Sequence, residues 1–408
     1  MTCRFCGHAL TVPFLDLGTA PPSNAYLSAD ALREPERWYP LRILVCPDCW
    51  LVQTTDILGP RDLFDADYGY FSSVSKTWLD HVERFAEHTV KRFNLSARSR
   101  VLEIATNDGC LLERFAAREV PCLGVEPTAS TAVAARGRGI EVVEEFFGTT
   151  LVDRLIDTGG RFDLVVANNV LAHVPDIRDF VDGIHQVLKP DGVVSFEFPW
   201  LVNMVQSGQF DTAYHEHYSY LSLTSVDRVL RDVGLRIFDV QELPTHGGSL
   251  RIFAERTDGP GRGVTSAVPA LAERESQLGV ASEAFYAGFQ GRAERIKNVL
   301  LSALIDARGN GQQVVAYGAA AKGNTLLNFA GVRADLLSYV ADRSPGKIGR
   351  FMPGSRIPIV EEARLRETRP DLIVILPWNL RDEIAGQLVY ARAWSGSFLT
   401  AVPDLERF

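Results

Sequence analysis

The run DTAYHEHYSYLS, residues 211–222, gathers Tyr214, His215, Glu216, His217, Tyr218 and Tyr220 in one short stretch. Two of the chain's eight histidines stand two apart there. A histidine of near-neutral pKa can take a proton, a neighbouring glutamate can orient it, and a tyrosine hydroxyl can hydrogen-bond a developing enolate. His-x-His with a glutamate can also bind a metal, although no nearby cluster supplies a third ligand. A buried polar network would use the same residue types.

A second constellation opens the chain. Cys3, Cys6, Cys46 and Cys49 form two C-x-x-C pairs, CRFC and CPDC. Each pair can present two thiolates from a tight turn. Together they make a closed tetrahedral site that suits structural zinc and leaves no position open for chemistry. Free thiols or a redox pair are the alternative. Six cysteines in 408 residues are too few for a disulfide scaffold.

Further polar groups fall where strands end. EIATNDG, residues 103–109, reads as a strand running into a tight turn, with Glu103, Ala105, Asn107 and Gly109 placed to meet a ligand. Glu126 follows at the end of the next strand, where α/β folds hold a ribose diol. The turn lacks full G-x-G-x-x-G, and Asp108 would repel a pyrophosphate. It suits S-adenosylmethionine, which has no phosphate and carries a cationic sulfonium and amine. Asn168, Asn169 and His173 in ANNVLAHVPD follow another strand and point to the same crevice. In PTHGGSLR, His246, Ser249 and Arg251 could grip phosphate or simply form a hairpin turn. Lys322 in YGAAAKGNT stands at a helix start that suits phosphate. The aromatic run YGYFSSVSKTW, residues 68–78, reads as a wall of the site.

These groups need elements to hold them. Apolar runs predict strands at 101–104, 122–125, 162–167 and 192–197, and a second series opening at 313 and continuing at 337–341 and 372–376. Helical periodicity covers 78–93, and 271–307 reads as one or two helices. Strand–helix alternation predicts α/β architecture with mostly parallel sheets. The chain length allows two to four domains. A net charge of −9 argues against a nucleic-acid partner. No apolar stretch reaches the ~20 residues of a membrane span, and no signal segment opens the chain, so a cytoplasmic location is expected.

The zinc module with FLDLG and PPSNAYL, the EIATNDG turn, the YHEHYSYLS run, HGGSLR and YGAAAKGNT together resemble the sugar C-methyltransferases. Those enzymes act on nucleotide-linked 4-keto-deoxysugars in the making of antibiotic sugars. The resemblance covers almost the whole chain. It implies a zinc-binding domain over 1–68, a Rossmann-like S-adenosylmethionine methyltransferase domain over 69–255 and a second Rossmann-like α/β domain over 256–408. The nucleotide-sugar would lie between the last two. By position, His217 matches the catalytic base and Tyr214 and Glu216 its supporting residues. His173 and Tyr70 match residues at the active site. The implied reaction is methylation of a TDP-linked sugar at C-3 through an enolate, by a monomer. C-5 methylation and a non-sugar keto acceptor are alternatives. A zinc-containing dinucleotide-dependent oxidoreductase is the alternative from another class.

Overall fold

The computed structural model describes residues 1–55, 58–64 and 71–408. Three β-sheets organise them. The first begins as an antiparallel meander of β1 (Val12–Ala20), β2 (Tyr39–Val45) and β3 (Val52–Thr54). The second draws parallel strands from β4 (Val101–Ile104), β5 (Cys122–Val125), β6 (Val142–Val143), β7 (Phe162–Asn168) and β8 (Leu188–Pro199). The chain then returns to the first sheet, where β9 (Ser219–Tyr220) pairs antiparallel with β3. The hairpin of β10 (Leu235–Leu243) and β11 (Ser249–Arg256) completes the second sheet beside β8. Its order is β10-β11-β8-β7-β4-β5-β6.

The third sheet holds β12 (Val314–Tyr317), β13 (Val340–Asp342), β14 (Ile359–Glu361), β15 (Leu372–Ile375), β16 (Ser397–Thr400) and β17 (Glu406–Arg407). Its order is β14-β13-β12-β15-β16-β17, parallel except at β17. Both larger sheets reverse strand order beside their first strand, between β4 and β7 and between β12 and β15. A crevice opens there at the carboxyl ends of the strands, the usual ligand position in such sheets.

The sequence explains these choices. VLEI in β4, VVAY in β12 and LIVI in β15 are buried at every position. Continuous apolar runs suit parallel strands covered on both faces. The helix Ile177–Val187 buries Ile177, Phe180, Val181, Ile184 and Val187, a single stripe, and Asp176 caps its start. The helix over 78–93 is found as Lys76–Arg92, capped by Ser75. The region 271–307 forms more pieces than the periodicity indicated: Ala267–Leu278, Glu283–Tyr286 and Phe289–Gly309. Gly279 and Gly288, at φ +76° and +82°, break the helical path.

The N-terminal module is wedged between the other two units. Cys3, Leu10, Cys46, Cys49 and Leu51 share a core with the second sheet. Phe14, Leu15, Leu41, Ile43 and Val52 share another with the long helix Phe289–Gly309 and the third sheet. No helix among the described residues is long and apolar enough to cross a membrane.

Candidate active site

The four cysteines converge as their spacing predicts. All four Sγ atoms lie within 4.8 Å of one another. Cys3 and Cys49 Sγ are 3.6 Å apart and Cys6 and Cys46 Sγ 3.5 Å, close to the about 3.8 Å edge of a tetrahedron with Zn–S bonds of about 2.3 Å. Gly7, at φ +75°, turns the chain after the first pair and donates its N–H to the Cys3 carbonyl. Gln53 Nε2 donates to Cys3 Sγ at 3.2 Å and so ties the centre to β3. An all-sulfur, closed donor set fits zinc as a structural ion. Each ligand must be a thiolate, and four thiolates in one place need a dication between them.

The cofactor crevice is built from left-handed backbone. Ala105 and Asn107 have φ of +56° and +51°, uncommon for residues with a Cβ. Glu103 is buried and accepts the Thr106 hydroxyl at 2.6 Å; burial pushes its carboxyl up to about 8. Glu126 is buried and accepts N–H groups from Asn107 at 2.8 Å and Thr128 at 3.0 Å. Both Asn168 side-chain polar atoms and Asn169 Oδ1 are buried without partners at the end of β7. Unsatisfied polar atoms at a strand switch point are what a polar cofactor would complete. The groups therefore fit S-adenosylmethionine, with Glu103, Glu126, Asn168 and Asn169 available to hold it. Gly109, at φ +76°, also answers to packing. A Cβ there would sit 3.0 Å from the Ala135 Cβ and 3.2 Å from Ile140, so its bareness lets the helix Ala129–Gly137 pack close.

The segment after the N-terminal module covers this turn. Ser72 N–H donates to Asn107 Oδ1 at 2.9 Å and Ser73 N–H to Asp108 Oδ2 at 3.1 Å, while Arg138 lies 3.6 Å from the same carboxylate. Of the run 68–78, the part from Phe71 onward therefore lies against the cofactor turn. Tyr70 and Tyr68 lie outside the described residues.

Two of the histidines, His173 and His217, come together beyond the end of β7. His217 Nδ1–H donates to the Thr212 carbonyl at 2.8 Å. A carbonyl can only accept, so that tautomer leaves the Nε2 lone pair for chemistry. No described group bonds to His217 Nε2. Burial, then the nearby His173, hold this ring well below the usual histidine range. His173 donates from Nδ1 to the Glu216 carbonyl at 2.8 Å, and its ring centre is 4.7 Å from that of His217. Burial brings His173 down to about 4. The Tyr214 ring lies 3.9 Å from His217, centre to centre. Glu216 is buried, accepts from Asn24, and is pushed up to about 7 by burial. His217 and His173 thus meet in space. His215 lies apart, beside Tyr39. No metal cluster forms here among the described residues.

The third sheet supplies the far wall. Lys322 Nζ donates to the His246 carbonyl at 3.2 Å and to Asn379 Oδ1 at 3.3 Å, and sits 4.7 Å above the Trp378 ring centre. Asn169 Nδ2 is 3.3 Å from His246 Nε2. Lys322, His246 and Asn169 thus meet at the junction of the two crevices. Two residues expected to grip phosphate do not face that way. Arg251 is buried against Glu197, 2.6 Å away, and stacks on Phe85. A buried guanidinium whose charge is already compensated is no free anion site. Ser249 donates to the Thr245 carbonyl at 3.0 Å and is spent on the turn.

Sequence reasoning missed several members. Asp211 accepts Trp378 Nε1–H at 2.7 Å, and burial pushes its carboxyl up to about 6. His81 and Arg251 hold Glu197 at about 2 despite its burial, and Glu197 accepts the Thr245 hydroxyl at 2.9 Å beneath the His246 turn. Asp211 stood within the Tyr/His-rich run, so its neighbourhood was a signal. Nothing local marks Trp378.

Comparison with known proteins agrees with this layout. Family models match as a zinc binding domain over residues 3–64, a methyltransferase domain over 74–240 and a C-methyltransferase C-terminal domain over 244–403. C-methyltransferase NovU of Streptomyces niveus is 31% identical over 402 residues, covering 98% of this chain and 95% of its own. A ubiquinone biosynthesis O-methyltransferase of Nitrobacter winogradskyi is 28% identical over 153 residues, 32% of this chain and 58% of its own. Among solved structures, magnesium protoporphyrin IX methyltransferase (ChlM) from Synechocystis PCC 6803 with bound SAM aligns with a TM-score of 0.37 and 16% identity, over 50% of this chain and 100% of that one. The dinucleotide-dependent oxidoreductase reading falls away. The chain belongs to the C-methyltransferase family, as an S-adenosylmethionine-dependent enzyme with a zinc-binding N-terminal module.

Proposed function

We propose that the enzyme methylates a carbon next to the ketone of a nucleotide-linked 4-keto-deoxysugar, at C-3, in the making of an antibiotic sugar, and that the sugar carries TDP. One observation carries the reading. His217 is buried, commits Nδ1–H to the Thr212 carbonyl, and keeps Nε2 unbonded among the described residues, with Lys322 near enough to act on its charge.

A carbon beside a ketone is acidic because its anion is an enolate. His217 Nε2 takes that proton, and burial keeps the ring unprotonated and ready for it. Tyr214, packed on the same ring, lines the approach to the substrate oxygen. S-adenosylmethionine, when bound, supplies an electrophilic methyl group on a cationic sulfur. The chain's task is to hold the two partners within about 3–3.5 Å and in line, which can supply much of the acceleration. Lys322 and the backbone around His246 lie where a diphosphate would bridge the second and third sheets. The units 1–68, 69–255 and 256–408 then divide the work into support, methyl donor and nucleotide-sugar.

The decisive experiment mixes the enzyme, S-adenosylmethionine and a TDP-4-keto-6-deoxysugar in deuterated water and follows the sugar by NMR. The expected result is a new methyl signal at C-3. A methyl at C-5 overturns the assigned carbon. An unmethylated, unexchanged sugar with cofactor bound overturns the sugar as acceptor.

A further inference from the structure

One side chain of the N-terminal module holds the carboxylate next to His217. Asn24 belongs to PPSNAYL, between β1 and β2. Its Nδ2 lies 2.7 Å from Glu216 Oε1 and 2.9 Å from Oε2, straddling the carboxylate. A carboxylate can only accept when ionised, so the amide nitrogen must face it. Glu216 is 2% exposed, and among the described residues no other side chain donates a hydrogen bond to it. The loop that carries Asn24 is itself anchored on the C-terminal unit. Tyr26 donates its hydroxyl to the Ala319 carbonyl at 2.7 Å, Asn324 Nδ2 donates to the Ser23 carbonyl, and Leu27 pairs with Phe351. The backbone of Glu216 receives His173 Nδ1–H. The stretch that carries the carboxylate therefore also carries His217, one residue on, and receives the His173 ring.

We propose that Asn24 is a positioning residue for methyl transfer, acting through the Glu216 carboxylate, so that the zinc-bearing module completes the active site as well as stabilising the fold. The inference rests on the assignment of His217 as the base given above, with Glu216 its neighbour in the chain. A buried carboxylate without a donor either takes a proton or turns away. Either change disturbs the segment that carries His217 and receives the His173 ring. The charged and titratable groups around Glu216 are Lys347 and Tyr26, with Asp342 beyond them and the His173 ring on its carbonyl. Lys347 acts on the carboxylate through space, while its Nζ donates to the Ala319 carbonyl at 2.7 Å.

A double-mutant cycle tests this with the full-length, zinc-loaded enzyme and the TDP-4-keto-6-deoxysugar. Asn24→Ala is expected to lower kcat by about 10–100-fold, the scale of a misplaced reacting group, with zinc content and S-adenosylmethionine affinity unchanged. In a Glu216→Ala background the same change should cost almost nothing, because its target is gone. Asn24→Asp, which keeps the shape but sets a second carboxylate against the first, should lose at least as much as Asn24→Ala. Additive losses, or an Asn24→Asp enzyme as fast as wild type, overturn the proposal. A second readout needs no substrate. Carbon-13 NMR of the Glu216 carboxyl, assigned by its disappearance in Glu216→Gln, should titrate at higher pH in Asn24→Ala. An unmoved midpoint overturns the proposal. If the wild-type enzyme leaves the test sugar untouched, the acceptor assignment fails and the carboxyl titration still decides on Asn24.

Discussion

His217 spends one ring nitrogen on the Thr212 carbonyl, so everything it does to a substrate it does with the other. His217→Asn is therefore expected to lower kcat by about 10²–10⁴-fold while S-adenosylmethionine affinity, measured by calorimetry, stays the same. The ring must be unprotonated to act. Burial and His173 pull it below the ordinary histidine value of 6.5, so the acid limb of the pH–rate profile should lie below pH 6.5. A limb above that value would contradict the assignment. Glu103 gives a second pH effect of opposite origin. Its carboxyl sits at about 8 in the ligand-free enzyme, so near neutrality it carries a proton. A cationic ligand favours the ionised form, so affinity for S-adenosylmethionine should rise with pH. The window is about pH 6 to 7.5, below the range in which an α-amino group loses its own proton. In Glu103→Gln the pH dependence should flatten. The cysteines and the Tyr214–His217 group were legible because their chemistry is packed into a few adjacent positions. Asn24 was not, since asparagine is ordinary in turns and its partner stands 192 residues away. Arg251 misled for the converse reason: an arginine after a glycine pair reads as an anion site until Glu197 is seen beneath it.

At the level of elements, the turns decide more than the strands. Gly247 has φ +90°, and a Cβ there would sit 2.5 Å from the Trp378 ring. Gly247→Ala should push Trp378 off Asp211, quench or shift its fluorescence, and lower turnover at least about tenfold, with cofactor binding intact. The left-handed backbone alone costs an alanine about 1–2 kcal/mol. Replacing a zinc ligand acts at longer range. Cys49→Ser is expected to lose the metal, loosen β3 and, through β9, shift the histidine run. Metal analysis and the methyl-transfer rate should fall together. The strand–turn–helix units were readable from apolar runs and the polar residues that end them. The hairpin of β10 and β11 was less so, because PTHGGSLR fits a phosphate loop as well as a turn.

Across the whole molecule, the N-terminal module has no private core. One face packs with the second sheet and the other with the third. Calorimetric unfolding should therefore show one dominant transition rather than three. Addition of a zinc chelator should lower that transition as a whole, and a separate early transition for residues of the first sheet would contradict the shared cores. The sequence announces two α/β units and a metal module, since each has its own periodicity or ligand spacing. It does not announce that the module sits between them, because the contacts responsible join distant parts of the chain. The pairing of β3 with β9 carries this into protein synthesis. The first sheet is left with a bare edge until Ser219 and Tyr220 leave the ribosome. At roughly 5–20 residues per second, that interval is on the order of ten to thirty seconds. During it the nascent chain carries its zinc ligands complete and its hydrogen-bonding edge unprotected, so a chaperone that shields strand edges should act on this enzyme while it is still being translated.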